Sequence, residues 1–129
     1  MTLDRLHLLF QHAADLGLDV EWEDLGDVRR GEYHDDRRLI VLNRRLTRAQ
    51  ATDALAHELG HALWGDRCST PAGERRADEV GAALVIDPSD YAAAEALVGE
   101  HAGALAAALE VTPRLIVAWR RWARRRAIV

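Results

Sequence analysis

Residues 55–65 read LAHELGHALWG, and the fold turns on whether this stretch is a metal-binding helix or an amphipathic helix that carries imidazoles by accident. On an α-helix, positions four apart share a face with Cβ atoms about 5–6 Å apart, so His57 and His61 can aim both rings at one ion. Glu58 is rotated by about 100° from His57 at 3.6 residues per turn, which sets it beside such an ion and within reach of a proton on water held there. Leu55, Leu59, Ala62 and Leu63 make a separate apolar stripe, so one helix can pack and ligate at once.

Zinc suits this donor set, because it takes imidazole nitrogen and carboxylate oxygen and lowers the pKa of bound water to about 7. Two histidines leave the site one protein ligand short of the usual three. Working outward toward the C-terminus, Thr70 and Pro71 mark a new helix start after a short turn, and the first turn of that helix holds Glu74. A helix folded back antiparallel would bring Glu74 to the ion as the third ligand. Asp78, four residues on and on the same face, is placed to accept the other ring N–H of a ligating histidine and fix its tautomer. Ala77, Val80, Gly81, Leu84 and Val85 form the packing stripe, and Gly60, Gly73 and Ala77 are small enough to let two backbones approach. Glu79 is the rival third ligand. It lies on another face with Arg75 and Arg76 at i−4 and i−3, which predicts an exposed, salt-bridged role instead.

Upstream, Thr47 and Gln50 have the spacing of a capping box, so the metal helix is predicted over 48–64 with Gly65 closing it. Before it come three short extended runs, LDVEWED, VRRGEYH and RRLIVLN, separated by Asp/Gly and His-Asp-Asp breaks; they predict a small antiparallel meander. A first amphipathic helix over 3–16, closed by Gly17, precedes them. Downstream, the second metal helix is predicted to stop at Asp87-Pro88, followed by helices over 89–98 and 102–109 and a last one opened by Thr112-Pro113. The class is α+β, a three-stranded antiparallel sheet against the metal helix and further helices.

Composition narrows the remainder. With 129 residues, 49% of them hydrophobic, one core and one domain over 1–129 are expected. No run approaches the roughly 20 apolar residues of a spanning helix, and no leader pattern opens the chain, so a cytoplasmic protein without a membrane partner is expected. The single cysteine, Cys68, has no internal partner for a disulfide. All 17 basic residues are arginine, and they are unevenly spread: residues 1–110 carry a net −10 and residues 111–129 a net +6. In the last segment Leu115, Ile116, Trp119, Trp122 and Ala123 define an apolar face, with Arg120, Arg121, Arg124 and Arg125 opposite. A packing helix with a solvated basic face is the expected form of 111–129.

The linked motifs LAHELGHALWGD and ERRADEVGAALVIDP resemble the ImmA/IrrE family of zinc metallopeptidases, whose members show an HExxH helix followed by a Glu-x-x-Ala-Asp/Asn motif. GEYHDDRRLIVLNRRLTRAQATDALAHELGH is similar to the region that precedes the motif in that family, so the likeness spans about residues 16–88. Val80-Gly81 departs from the usual Phe-Ala, within the packing stripe. The resemblance implies a minimal zincin-like fold and one zinc ion on His57, His61 and Glu74, with Glu58 as general base and acid. It also implies a protein substrate, a helix-turn-helix transcriptional repressor of a phage or mobile element, which the enzyme cleaves.

A second reading belongs to another class: a metal-stabilised regulatory or DNA-binding module that uses the arginine-rich final helix and does no hydrolysis. It would need a closed metal site, for which Cys68 is the one candidate fourth ligand. Of the other residues, His7, His12 and His34 are expected at the surface or satisfied in the core. Tyr91 and His101 lie on helices able to return over the site, where hydrolysis needs a second donor for the developing oxyanion, although packing is the expected role of both.

Overall fold

A computed structural model of the chain describes residues 4–64 and 70–126. In chain order the elements are α1 (Arg5–Asp15), β1 (Asp19–Glu23), β2 (Gly31–His34), β3 (Leu39–Asn43), α2 (Arg48–Trp64), α3 (Pro71–Val85), α4 (Pro88–Val98), α5 (Ala102–Leu109) and α6 (Pro113–Arg125). The protein is α+β, six helices with one small sheet, among the described residues.

The helix ends follow the local chemistry. Gln50 N–H donates to Thr47 Oγ1 at 3.2 Å while Thr47 N–H donates to Gln50 Oε1 at 2.9 Å, the reciprocal pair of a capping box at the start of α2. Thr70 and Thr112 cap α3 and α6 by accepting from Gly73 N and Leu115 N, and each is followed by proline at the first helical position. Asp87-Pro88 both ends the run after α3 and opens α4, Asp87 accepting from Ser89 N. Gly17, just past α1, adopts φ 71°, the left-handed value that closes a helix without a Cβ clash.

The sheet is not the expected antiparallel meander. Its order is β1-β3-β2, with β1 parallel to β3 from Asp19↔Leu39 to Glu23↔Asn43 and β2 antiparallel to β3 from Gly31↔Leu42 to His34↔Leu39. Burial explains the rearrangement. All five residues of β3 are buried, whereas β1 is mostly exposed and β2 half-buried. A strand with apolar side chains on both faces belongs in the centre, and the mixed-polarity strands take the edges. A meander would have put β2 there.

Helices α2 and α3 pair most extensively, and the pairing depends on glycine. A β-carbon on Gly60 would overlap the Ala77 carbonyl, and one on Gly81 would overlap the Ala56 carbonyl. The sequence points to Gly60 and Ala77; Gly81 stands there only as part of the packing stripe. Leu9, Ile40, Leu42, Leu55, Leu59 and Ile86 lie in one apolar cluster, joined from α6 by Leu115, Ile116 and Trp119. Trp119 Nε1–H donates to Ile86 O at 2.9 Å and its ring stacks on Tyr91 at 4.1 Å, which ties α6 to the exit of α3. No single helix among the described residues is long and apolar enough to cross a membrane.

Candidate metal centre

His57 and His61 stand one turn apart on α2, and the first turn of α3 brings Glu74 across to them. His57 Nε2 lies 2.8 Å from Glu74 Oε2, His61 Nε2 lies 3.2 Å from Glu74 Oε1, and the two Nε2 atoms are 3.1 Å apart. One ligand atom from each of the three residues falls within a single 4.8 Å group. Neighbouring ligands around an ion held at about 2.0–2.2 Å have this kind of spacing.

The donor chemistry fits a cation as well. His57 Nδ1 is 2.6 Å from Asp78 Oδ1, and an N–H given to that carboxylate leaves the Nε2 lone pair facing His61 and Glu74. Lone pairs and carboxylate oxygens so close together repel unless a proton or a metal ion lies among them. The structure therefore puts Asp78 where the second ring nitrogen of His57 needs an acceptor, and its Oδ2 is 3.4 Å from Arg114 Nη2. Burial alone would lower the His57 pKa, but the Asp78 hydrogen bond and the surrounding carboxylates outweigh it, and the net shift is upward. Asp78 moves the other way: burial opposes its charge, yet His57 and Arg114 hold its carboxyl below the usual range.

Glu58 is set apart from the three ligands. It is 8% exposed and packs beside the start of β2, where its Cγ nearly touches the space a Gly31 side chain would fill. Burial, reinforced by the charges of Glu74, Glu32 and Asp78 against that of His57, pushes its carboxyl up to about 7. An acid in this range can both take and return a proton near neutrality.

A cleft of about 250 Å³ opens beside this group, lined by His57, Glu58 and Asp78 and by residues the sequence did not single out: Val28, Arg30, Gly31, Asp53, Ala54 and Arg114. Asp53 is buried one turn before His57 on α2 and joins two other elements to it. Its Oδ2 accepts from Arg30 Nη1 at 3.1 Å and from the Thr112 hydroxyl at 3.0 Å. Burial raises its carboxyl above the ordinary value despite the Thr112 hydrogen bond and the charges of Arg114 and Arg30. The loop that carries Val28 and Arg30 is organised by buried Asn43, whose Nδ2 donates to Gly26 O and Arg29 O at 2.8 and 2.7 Å. One signal for Asp53 was present in the sequence: an acid at i−4 to His57, on the helix face that carries a predicted ligand. Nothing in the sequence pairs it with Thr112, 59 residues away.

Other candidates fall elsewhere. Glu79 is no exposed partner of Arg75 and Arg76: it is 2% exposed and meets Arg125 Nε at 2.7 Å and Arg121 Nε at 3.7 Å. The basic face of α6 is accordingly not wholly solvated, since Arg120 also donates, through Nε, to Tyr91 Oη at 2.9 Å and, through Nη2, to Glu100 O. Tyr91 thus has the packing role expected of it, with its ring on Trp119 and its hydroxyl on Arg120, and His101 caps α5 by accepting from Ala104 N. His7 contacts Gln11, and His34 contacts Glu32. Cys68, the possible fourth ligand, and Gly65 lie outside the described residues.

Residues 13–118 match the family of IrrE N-terminal-like domains, peptidase M78, a span that takes in every residue of the metal cluster. No curated protein matches the chain.

Proposed function

The chain belongs to the IrrE N-terminal-like, peptidase M78 family, and from that footing we propose that it is a zinc-dependent endopeptidase whose substrate is a helix-turn-helix transcriptional repressor of a phage or mobile element. One observation carries the catalytic part. A buried carboxyl with a near-neutral pKa, Glu58, flanks a set of three candidate protein ligands among the described residues, the number typical of catalytic zinc sites.

Zinc, when bound to His57, His61 and Glu74, supplies Lewis acidity toward the scissile carbonyl and the attacking water. Glu58 takes the proton of that water and returns it to the leaving amine. Asp78 holds the His57 ring by its Nδ1–H, so that Nε2 stays directed at Glu74 and His61. Strand β2 is an edge of the sheet and begins at Gly31 in the cleft wall, so its outer backbone groups offer an extended peptide a hydrogen-bonding partner beside Glu58. This favours a peptide over a compact small molecule. The repressor is supported by the resemblance of the paired motifs to family members that act on such proteins, and that substrate puts the reaction in the cytoplasm.

The test is co-expression with the repressor encoded beside its gene. Wild type is expected to cleave the repressor at one bond. Glu58→Gln is expected to retain zinc, measured by metal analysis, and to lose cleavage by at least about 100-fold. Full cleavage by the variant would remove Glu58 from the mechanism, and an intact repressor with the zinc-loaded wild type would remove the substrate.

A further inference from the structure

Two guanidinium groups line the cleft and take no part in the hydrolytic step. Arg30 comes from the loop ahead of β2 and Arg114 from the first turn of α6. Their side chains remain open, at 41% and 57% exposure. A guanidinium carries five N–H donors, and each of these gives one nitrogen to a protein acceptor: Arg30 Nη1 to Asp53, Arg114 Nη2 to Asp78. The two acids are committed elsewhere as well, Asp53 to Thr112 and Asp78 to His57. Each arginine is therefore moored at one corner while most of its donors have no partner among the described residues.

The mooring is built from the backbone outward. Asn43 fixes the carbonyl of Arg29, the residue before Arg30. Thr112 caps α6 and donates to Asp53, which fixes the helix start two residues before Arg114. The positive end of the α6 dipole is thereby held at the same wall.

The geometry points to a carboxylate-binding subsite, in which Arg30 and Arg114 together receive a carboxylate of the peptide substrate beside Glu58. The planar fork of arginine matches a carboxylate with two parallel hydrogen bonds, which gives position as well as attraction. The carboxylate has two possible sources, an Asp or Glu side chain near the scissile bond or the substrate's own C-terminus. This inference rests on the peptidase reading.

The test uses the zinc-loaded full chain and a mixed library of proteome-derived peptides, with the cleaved bonds located by mass spectrometry. A side-chain source is expected to show Asp and Glu enriched at one fixed position; a C-terminal source is expected to show cleavage at a fixed distance from the end, lost on amidation. Matched peptides with Glu or Gln at the enriched position, or with a free or amidated end, are then compared. Wild type is expected to prefer the carboxylate by about 10-fold, mainly through KM. In Arg30→Gln/Arg114→Gln that ratio should fall to near one, while Arg30→Lys/Arg114→Lys keeps part of it. The same ratios should appear in fluorescence anisotropy of the labelled peptides on the zinc-loaded Glu58→Gln protein, where nothing turns over. Zinc content is measured in each variant, so that an effect routed through Asp78 is seen as metal loss. Cleavage without any carboxylate preference, or a preference that survives the double glutamine variant, would overturn the subsite and leave the peptidase reading standing. If the zinc-loaded wild type cleaves no peptide and no repressor, the peptidase reading falls and the subsite with it.

Discussion

Asp78 and Glu79 are neighbours on α3, both acids in contact with basic groups, yet one belongs to a metal centre and the other to a strut. Asp78 faces α2, where Glu58, Glu74 and Asp78 gather three carboxyls around two imidazoles, with Arg114 in contact with Asp78. Glu79 faces α6, where one carboxylate meets two arginines. The first cluster has an excess of negative charge and of lone pairs, which adds to the burial that chiefly lifts Glu58 to about 7. The second is already supplied with positive charge and has no use for an ion. What separates them is charge balance, since Glu79 is the more deeply buried of the two acids.

The largest effect should come from forcing the metal face apart. Any β-carbon at Gly81 meets the Ala56 carbonyl, part of a helical backbone that cannot turn aside as a side chain would. Gly81→Val is expected to destabilise by about 3 kcal/mol or more, measured by denaturant unfolding, and to lose stoichiometric zinc. A stable, zinc-loaded variant would show that the α2–α3 approach is not what assembles the ligands.

Next in size is Asp78→Asn, which keeps the shape and removes the charge. Loss of such a partner typically weakens metal binding by about 10–100-fold, readable by competition with a chromophoric chelator. Its pH behaviour sharpens the point. The His57 pKa is raised in the metal-free fold, so the protonated ring stabilises that fold fully below its ordinary value near 6.5, and this is lost as pH rises through the folded value. Metal competes with that proton, so zinc binding should weaken as pH falls through the same window. In Asp78→Asn the window should move to lower pH. An unchanged affinity and pH profile would reduce Asp78 to a packing residue.

The same contrast explains what was legible in the sequence. His57, Glu58, His61, Glu74 and Asp78 sit on two helices at helical spacing, and periodicity carries such positions directly. Glu79 reads as a surface residue because its near neighbours Arg75 and Arg76 are visible in sequence, whereas Arg121 and Arg125 reach it only through the α3–α6 packing. Arg30, Asp53 and Arg114 stayed hidden for the same reason: their shared cleft joins a loop, a helix and a helix start that are far apart in the chain. The helices and strands themselves were readable from caps and apolar runs. Strand order was not, because it is decided by which strand loses most from exposure, and that depends on what α1 and α2 cover.

The smallest effect should follow from replacing Glu79 by leucine. A buried ion pair gains Coulomb energy but bears the desolvation of its charges, and an apolar residue of similar volume is often as good. Glu79 is a poor investment by this measure, for its Oε2 has no hydrogen-bond partner among the described residues. Its arginines are one-third and more than half exposed, so after the substitution they can turn to water instead of remaining buried and unpaired. Glu79→Leu is therefore expected to change stability by no more than about 1 kcal/mol in either direction, with zinc affinity equal to wild type. A loss of several kcal/mol, or of zinc, would mean that the strut and the metal centre act as one unit through α3, and that neighbouring acids on this helix cannot be assigned to separate tasks.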